Sequence, residues 1–266
     1  MCTCITYENG DFYFGRNLDL DCSFGEKVAV TPRNFPLAFR KAGELKAHFA
    51  MIGMASAVPS FPLYAEAVNE KGLCMAGLNF PGNAWYGPVI GEGIELASFE
   101  IIPWLLGRCE SVDQAEKYLK DMHIVDLAFS EQMPPAPLHW MLADKERCLV
   151  LEAVKEGLKI YENSFGVLTN NPPFDYHQMN MNNYVNLRAA SPENHFSKQL
   201  DLRPYAQGMG AIGLPGDASS ASRFVRAAFF KWNSAAPKDE ASNVSQFFHI
   251  LDGVAMVRGT VITEAG

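Results

Sequence analysis

A cysteine directly follows the initiator methionine, and this position can supply two reactive groups from one residue. Removal of Met1, expected when the second side chain is small, makes Cys2 the N-terminal residue. Its thiolate is a strong nucleophile, and an α-amine with an ordinary pKa of about 8 can move a proton near neutral pH. A free thiol with a pKa of about 8.5 is mostly protonated at pH 7, so a nearby cation is needed. The pattern favours nucleophilic catalysis, with a small buried strand residue as the plainer alternative.

The residues after Cys2 predict a hairpin that returns polar partners to the cysteine. Residues 2–7 and 12–14 are β-prone, and an Asn-Gly tight-turn signal lies between them. Arg16 follows on the returning arm, where its charge could stabilise the thiolate. Asp19, three residues on, could hold the α-amine through a charge-assisted hydrogen bond.

Blocks of strands and helices, rather than strict βαβ alternation, predict an α+β layered sandwich that forms one domain over residues 1–266. A capping-box spacing at Ser111 and Gln114 marks the start of one helix. Further strands are expected at 28–31, 49–55, 73–80, 138–143, 148–153, 158–161 and 165–169, and helices at 98–106, 115–120, 175–187, 222–235 and 244–257.

Composition and charge exclude several classes of protein. Hydrophobic residues make up 48% of the 266 residues and charged ones 20%, which excludes a disordered chain. The net charge of −8 argues against a nucleic-acid-binding surface. The N-terminus does not look like a signal peptide, and the apolar stretch 94–106 is too short to cross a membrane. We expect a soluble, cytoplasmic protein with free thiols that acts on small molecules.

Two further motif readings carry little weight. Residues 208–213 match G-x-G-x-x-G, but the prolines at 204 and 215 leave no strand before the motif and no helix after it, so a structural loop is favoured. The six histidines are scattered, without a recurring acidic partner, and no Cys/His cluster has zinc-ligand spacing.

Seven segments, in order along the chain, resemble the choloylglycine hydrolase family, which groups bile salt hydrolases with penicillin V acylases among the N-terminal nucleophile hydrolases. They are MCT at 1–3, FGRNLD at 14–19, NEKGL at 69–73, AGLNFP at 76–81, LTN at 168–170 with Pro172 and Phe174-Asp175, GLPGD at 213–217 and ASRF at 221–224. The resemblance extends to about residue 259.

The resemblance implies a four-layer αββα sandwich, no metal or cofactor, and a homotetramer. Cys2 would be the nucleophile and, through its amine, the proton shuttle, with Arg16 and Asp19 as partners. Asn170 would offer its side-chain amide to the oxyanion, Asn79 a second donor through its backbone N–H, and Arg223 would complete the charge network. The alternatives are turn residues for the two asparagines and a helix-surface charge for Arg223.

The implied reaction is hydrolysis of the amide bond of glycine- or taurine-conjugated bile acids. An asparagine at Asn79 resembles the bile salt hydrolases, whereas penicillin V acylases tend to place a tyrosine there. Leu18, Phe24 and an apolar loop at 58–64, with Phe61 and Tyr64, match segments that line the acyl pocket of relatives, with ordinary core as the alternative. Penicillin V or another N-acyl amide is the second substrate class.

The end of the chain departs from the family pattern. Family members continue beyond residues 256–259 into strands that complete the central sheets, whereas residues 260–266 do not align clearly. We therefore expect the C-terminal strands to be lacking and sheet edges to be open. The competing hypothesis is a truncated, inactive remnant of the family.

Overall fold

The computed structural model describes residues 1–20, 23–58 and 61–262 of the chain. Its strands are β1 (Cys2–Asn9), β2 (Asp11–Leu18), β3 (Glu26–Thr31), β4 (Leu37–Ala38), β5 (Glu44–Leu45), β6 (Met51–Val58), β7 (Phe61–Asn69), β8 (Cys74–Asn79), β9 (Ile94–Ala97), β10 (Met122–Val125), β11 (Leu138–Ala143), β12 (Cys148–Val154), β13 (Gly157–Glu162) and β14 (Val167–Leu168). Its helices are α1 (Ile101–Arg108), α2 (Val112–Leu119), α3 (Phe174–Asn180), α4 (Ser220–Asn233) and α5 (Glu240–Asp252), with 3₁₀ turns at Met181–Tyr184 and Met209–Ala211.

The predicted N-terminal hairpin is confirmed, and its turn fixes its register. Gly10 has a φ of +88°, a conformation that glycine adopts without steric cost. The pairing places Cys2 opposite Leu18 and Cys4 opposite Arg16. The short strand β14 pairs with the other edge of β1, so β14, β1 and β2 form a three-stranded sheet.

A larger, antiparallel sheet lies against this small one, in the order β13-β12-β11-β8-β7-β6-β3. Its central strands are apolar on both faces, because alternate residues enter two different cores. Along β12, Leu149 and Leu151 belong to one core cluster, whereas Cys148 and Val150 belong to the other. The central strands are therefore buried on both sides, whereas the edge strand β3 is largely exposed.

Helices cover the outer face of each sheet. Helices α1 and α2 share one core cluster with the seven-stranded sheet, and α4 and α5 share the other with the three-stranded sheet. The order is helices, large sheet, small sheet, helices. This arrangement confirms the predicted four-layer αββα sandwich.

Three helices begin directly after a residue whose side chain accepts a hydrogen bond from the first turn. Ser111 accepts a hydrogen bond from the backbone of Gln114 at the start of α2, as its spacing predicts. Ser219 caps α4 and Asp239 caps α5 in the same way. Helix α5 therefore spans Glu240–Asp252, and the predicted bounds of 244–257 are wrong at both ends.

Of three other predicted segments, two differ from the structure and one agrees with it. The predicted helix at 175–187 is α3, which ends at Asn180 and continues only as a 3₁₀ turn. The predicted loop at 58–64 is instead the end of β6 and the start of β7, with residues 59–60 outside the described ones. Residues 208–213 form a loop with a 3₁₀ turn, as predicted.

The helices and the cysteines give information on membrane spans and on disulfide bonds. In the ranges described, no helix is long and apolar enough to cross a membrane. The five cysteines described there are buried and form no disulfide, while Cys22 lies outside those ranges.

Candidate active site

Cys2 lies at the start of β1, and the neighbouring strand β2 brings Arg16 against its sulfur. The Nη2 atom of Arg16 donates to the Sγ atom of Cys2 over 2.7 Å. The Nη1 atom donates to the carbonyl of Gly77 on β8 and lies 3.6 Å from a carboxylate oxygen of Glu66 on β7. Arg16 therefore bridges the two sheets and holds a positive charge beside the thiol.

Glu66 was not singled out by the sequence analysis. Burial raises the pKa of its carboxyl group, and the charge of Arg16 opposes that rise. The only sequence signal is that Glu66 is the one charged residue of β7. Because the carboxyl group faces Arg16, Glu66 balances the charge that Arg16 presents to Cys2.

Asp19 contacts the N-terminal residue through its backbone. Its carbonyl accepts from the amine of Met1, and its N–H donates to the carbonyl of Met1 over 2.9 Å. Burial raises the pKa of the Asp19 carboxyl group, while the N-terminal amine and Arg223 oppose the rise. Within the described part of the chain, its buried Oδ2 atom has no hydrogen-bond partner.

Asn170 connects three parts of the site through one side chain. Its Oδ1 atom accepts from the backbone N–H of Cys2 and from Nη2 of Arg223, each over 2.9 Å. Its Nδ2 atom donates to the carbonyl of Asn79 over 2.8 Å, at the end of β8. The structure thus places Asn170 against Cys2 and connects Asn79 to Cys2 only through Asn170.

Arg223 reaches this cluster from α4 and is fully buried, so its interpretation as a helix-surface charge is wrong. Its Nη1 atom donates to the carbonyl of Cys2 and to the hydroxyl of Thr3, and its Nε atom to the carbonyl of Ala218. Burial lowers the pKa of Arg223 to about 10, still well above neutral pH. The guanidinium group therefore fixes β1, Asn170 and α4 relative to one another.

A cleft of about 680 Å³ opens beside the N-terminal residue. Leu18, Asp19 and Phe24 line one part of it, and residues 256–259, 261 and 262 line another. Phe24 is 37% exposed, so the interpretation of Phe24 as an ordinary core residue is wrong. The cleft offers the apolar surface of Leu18 and Phe24 beside Met1, and Leu18 is the strand partner of Cys2.

Phe61 and Tyr64 occupy the other core. Phe61 is 4% exposed and packs edge-to-face against Phe39 and Phe99, with ring centroids 5.9 and 5.8 Å away. The hydroxyl of Tyr64 lies 2.7 Å from that of Thr31. Neither residue lines the cleft beside Leu18 and Phe24.

The model of the family of linear amide C–N hydrolases known as the choloylglycine hydrolase family matches residues 2–266. The chain belongs to this family. The match includes residues 260–266, which the resemblance at the level of motifs left unaligned.

Individual choloylglycine hydrolases are similar over nearly the whole chain. A bile salt hydrolase/transferase of Lactiplantibacillus plantarum is 53% identical over 259 residues, which are 97% of this chain and 80% of that protein. A conjugated bile acid hydrolase of Lactobacillus gasseri is 39% identical over 271 residues, covering 100% of this chain and 85% of the relative.

Two solved structures are similar to this chain over its whole length. A mutant of the conjugated bile acid hydrolase of Clostridium perfringens superposes with a TM-score of 0.88 at 37% identity, covering 100% of this chain and 82% of the other. The penicillin V acylase of Agrobacterium tumefaciens, at 21% identity, gives a TM-score of 0.75 and covers 100% and 75% of the two chains. This second similarity concerns the fold alone.

The choloylglycine hydrolase site also has a buried layer that the sequence analysis missed. His139 has an acidic partner, Glu152, and His177 lies beneath Asn170. The signal available in the sequence was one polar residue inside each of two apolar strand runs, LHWMLA and CLVLEA. Throughout the described ranges, no cluster of three or more His, Cys, Asp or Glu side chains is arranged to hold a metal ion.

Proposed function

We propose that this choloylglycine hydrolase cleaves the amide bond of glycine- or taurine-conjugated bile acids with Cys2 as its nucleophile. The observation that carries the proposal is the contact of Arg16 with the Cys2 thiol. The backbone nitrogen of Cys2 also donates a hydrogen bond to Asn170. A buried cation beside sulfur stabilises the thiolate, which is the nucleophilic form. The names of the relatives supply the substrate class.

Removal of Met1 turns the nitrogen of Cys2 into an α-amine. That nitrogen now donates to Asn170. Asp19 contacts Met1 through its backbone, and its Oδ2 atom has no hydrogen-bond partner among the described residues. The amine then has an amide oxygen to orient it and a carboxylate to hold its positive charge. In this proposal it carries the proton that the reaction moves.

The reaction proceeds through an acyl-enzyme. The sulfur of Cys2 attacks the carbonyl carbon of the substrate, and the carbonyl oxygen becomes an oxyanion. Asn170 and the backbone N–H of Asn79 donate to that oxyanion. The C–N bond breaks as the α-amine protonates the departing glycine or taurine nitrogen. Water then attacks the thioester, releases the free bile acid and restores the thiol.

The cleft explains how a steroid could be held. Leu18 and Phe24 present apolar surface beside the N-terminal residue, which suits the broad face of a bile acid. The roles of Phe61 and Tyr64 in the acyl pocket stay predictions. Their burial in the core means that a substrate would meet them only after side chains rearrange.

We also propose a cytoplasmic homotetramer. Several large apolar side chains are exposed between α3 and α4, as expected of a surface that another copy covers. They are Val185, Phe196, Tyr205 and Ile212. The absence of disulfides among the five described cysteines favours a reducing compartment. Light scattering after gel filtration would measure the number of subunits.

The test is release of glycine from glycocholate and taurine from taurocholate, with penicillin V in parallel. Cys2→Ala is expected to abolish release, whereas Cys109→Ala, a buried cysteine in the other core, should retain it. Mass spectrometry establishes that Met1 is absent. Cleavage of penicillin V alone would overturn the proposed substrate but keep the mechanism. No cleavage of either substrate by mature protein would support the inactive remnant.

A further inference from the structure

A carboxylate and a histidine are buried together behind the site and have no role in the mechanism above. Glu152 on β12 and His139 on β11 are both 0% exposed, and Nδ1 of the histidine lies 3.1 Å from Oε1 of the glutamate. A buried carboxylate is costly unless it is paired and hydrogen-bonded. This pair therefore needs an explanation beyond filling the core.

The other contacts of the pair go to the segment that carries Asn170. The Nε2 atom of His139 lies 3.0 Å from the carbonyl of Thr169, and Oε1 of Glu152 accepts from the N–H of Phe174 over 3.0 Å. A carbonyl can only accept, so Nε2 must carry a hydrogen. Its Nδ1 atom pairs with Oε1 of Glu152, so the ring ties the carboxyl group to the segment.

Packing fixes the orientation of the imidazole. The ring of Phe80 stacks on His139 with 4.3 Å between centroids and 5° between planes. Because the ring cannot tilt freely, its two nitrogen atoms keep their directions. The carbonyl of Thr169 is thereby held at a fixed place.

Two further contacts hold the backbone of Asn170. Its N–H donates to the hydroxyl of Ser220 over 2.8 Å, and its carbonyl lies 3.1 Å from Nε2 of His177. The side chain is then free to contact Cys2 and Arg223. The ends of the segment, at Thr169 and Phe174, are held by His139 and Glu152.

We propose that His139 and Glu152 are positioning residues that set the geometry of Asn170 for oxyanion stabilisation. The proposal rests on the proposed function. Neither residue touches the nucleophile, so each acts through the backbone of 169–174. A displacement of about 1 Å in such a donor can lower the rate by roughly 100-fold.

The first test is Glu152→Gln, which keeps the shape but replaces the carboxyl group that pairs with Nδ1 of His139 by an amide. The kcat for glycocholate is expected to fall by about 10- to 100-fold while KM changes by less than about threefold. Glu100→Gln is the matched control, because Glu100 is also 0% exposed and accepts two backbone N–H groups, of Ala97 and Arg40, beside α1. It should lower the melting temperature without changing kcat.

A purely structural role would give the same kcat per folded molecule in both variants, and that result would overturn the proposal. Glu152→Asp, which keeps a carboxyl group, should recover part of the lost kcat. If Glu152→Gln does not fold, His139→Gln takes its place, since the amide of the glutamine can still donate to Thr169 but offers no second nitrogen to pair with Glu152.

A double-mutant cycle tests the route of the effect. In an Asn170→Ala background, Glu152→Gln should cause less than about a twofold further loss of kcat, because the residue through which it acts is gone. If the double variant instead loses kcat by the product of the two single-variant losses, Glu152 acts elsewhere and the proposal is overturned.

A measurement without substrate separates this proposal from the proposed function. In ¹⁵N-labelled protein, the side-chain amide signal of Asn170 is assigned by its loss in Asn170→Ala. The signal should shift or broaden in Glu152→Gln and stay in place in Glu100→Gln. If the wild-type chain is inactive on bile acids, the proposed function fails, while this signal still decides whether Glu152 positions Asn170. An unmoved signal overturns the positioning role.

Discussion

The Nη2 atom of Arg16 lies 2.7 Å from the Sγ atom of Cys2. The guanidinium group cannot move away easily, because the Arg16 side chain is only 3% exposed and its Nη1 atom is bound to the carbonyl of Gly77. The hairpin register makes this contact possible, since β2 returns alongside β1 with Arg16 two residues before the partner of Cys2. The cation is thus in place before substrate arrives.

Replacement of that cation should deactivate the thiol. We expect Arg16→Gln to lower kcat/KM by about 100-fold or more, because the thiolate loses its adjacent positive charge. The rate of alkylation of Cys2 by iodoacetamide at pH 7 should fall with it. Arg33→Gln is the control, since Arg33 pairs with Glu70 on the surface. Equal alkylation rates in wild type and Arg16→Gln would contradict the role.

Loss of Arg223 should damage stability as well as activity. Arg223→Met leaves the carbonyl of Cys2, the hydroxyl of Thr3 and an oxygen of Asn170 without their buried donor. We expect the free energy of unfolding to fall by about 3–5 kcal/mol, measured by urea denaturation. Arg203→Met, at an exposed site, should change it by less than about 0.5 kcal/mol. A stable, active Arg223→Met enzyme would refute this account.

Two phenylalanines that the family resemblance places in one pocket should behave differently. Phe24→Ala, in the cleft, should raise KM for taurocholate several-fold with little loss of stability. Phe61→Ala, in the core, should reduce the free energy of unfolding by about 3–5 kcal/mol. Steady-state kinetics and thermal melts distinguish them. A large change of KM without destabilisation in Phe61→Ala would instead place Phe61 in the substrate pocket.

His177 should make the protein sensitive to acid. Burial lowers its native pKa to about 4, while the unfolded value is near 6.5. Between these values the unfolded chain binds a proton that the native state does not, so stability is complete above pH 6.5 and declines toward pH 4. The loss attributable to His177 should reach about 3 kcal/mol at most. Urea denaturation from pH 4.5 to 7 measures it.

His177→Phe supplies the comparison, because a phenylalanine can keep the stacking on Phe224 but cannot titrate. Because only the wild type titrates at this position, its free energy of unfolding minus that of the variant should decrease as the pH falls. A difference that stays constant across this range would rule out the titration of His177 as its source.

Local sequence patterns predicted the part of the site that one hairpin builds, namely the approach of Arg16 to Cys2. The Asn-Gly turn and its flanking runs were enough to return Arg16 toward Cys2. Arg223 is different, because 221 residues separate it from Cys2, and no local pattern decides whether a helical arginine points inward. Its role was implied only by the family resemblance. The pair of His139 and Glu152 was missed because it forms only when β11 and β12 align.

Helix ends show a second limit. The predicted helix at 175–187 stops at Asn180, where asparagine side chains compete for backbone groups: Nδ2 of Asn182 donates to the carbonyl of Met179 over 2.9 Å. Helix α5 begins four residues earlier than predicted because Asp239, which was not recognised as a cap, accepts from the N–H of Ser242. Pattern alone did not reveal which polar side chains turn back onto the backbone.

The distance along the chain between Cys2 and its partners has a consequence for biosynthesis. The contacts of Cys2 with Asn170 and Arg223 span 168 and 221 residues. On a ribosome, β1 must therefore emerge and wait until β14 and then α4 have been synthesised before the cluster can close. A nascent chain stalled ahead of α4 would carry the thiol without its complete electrostatic frame. We expect amidase activity to arise only after α4 has been synthesised.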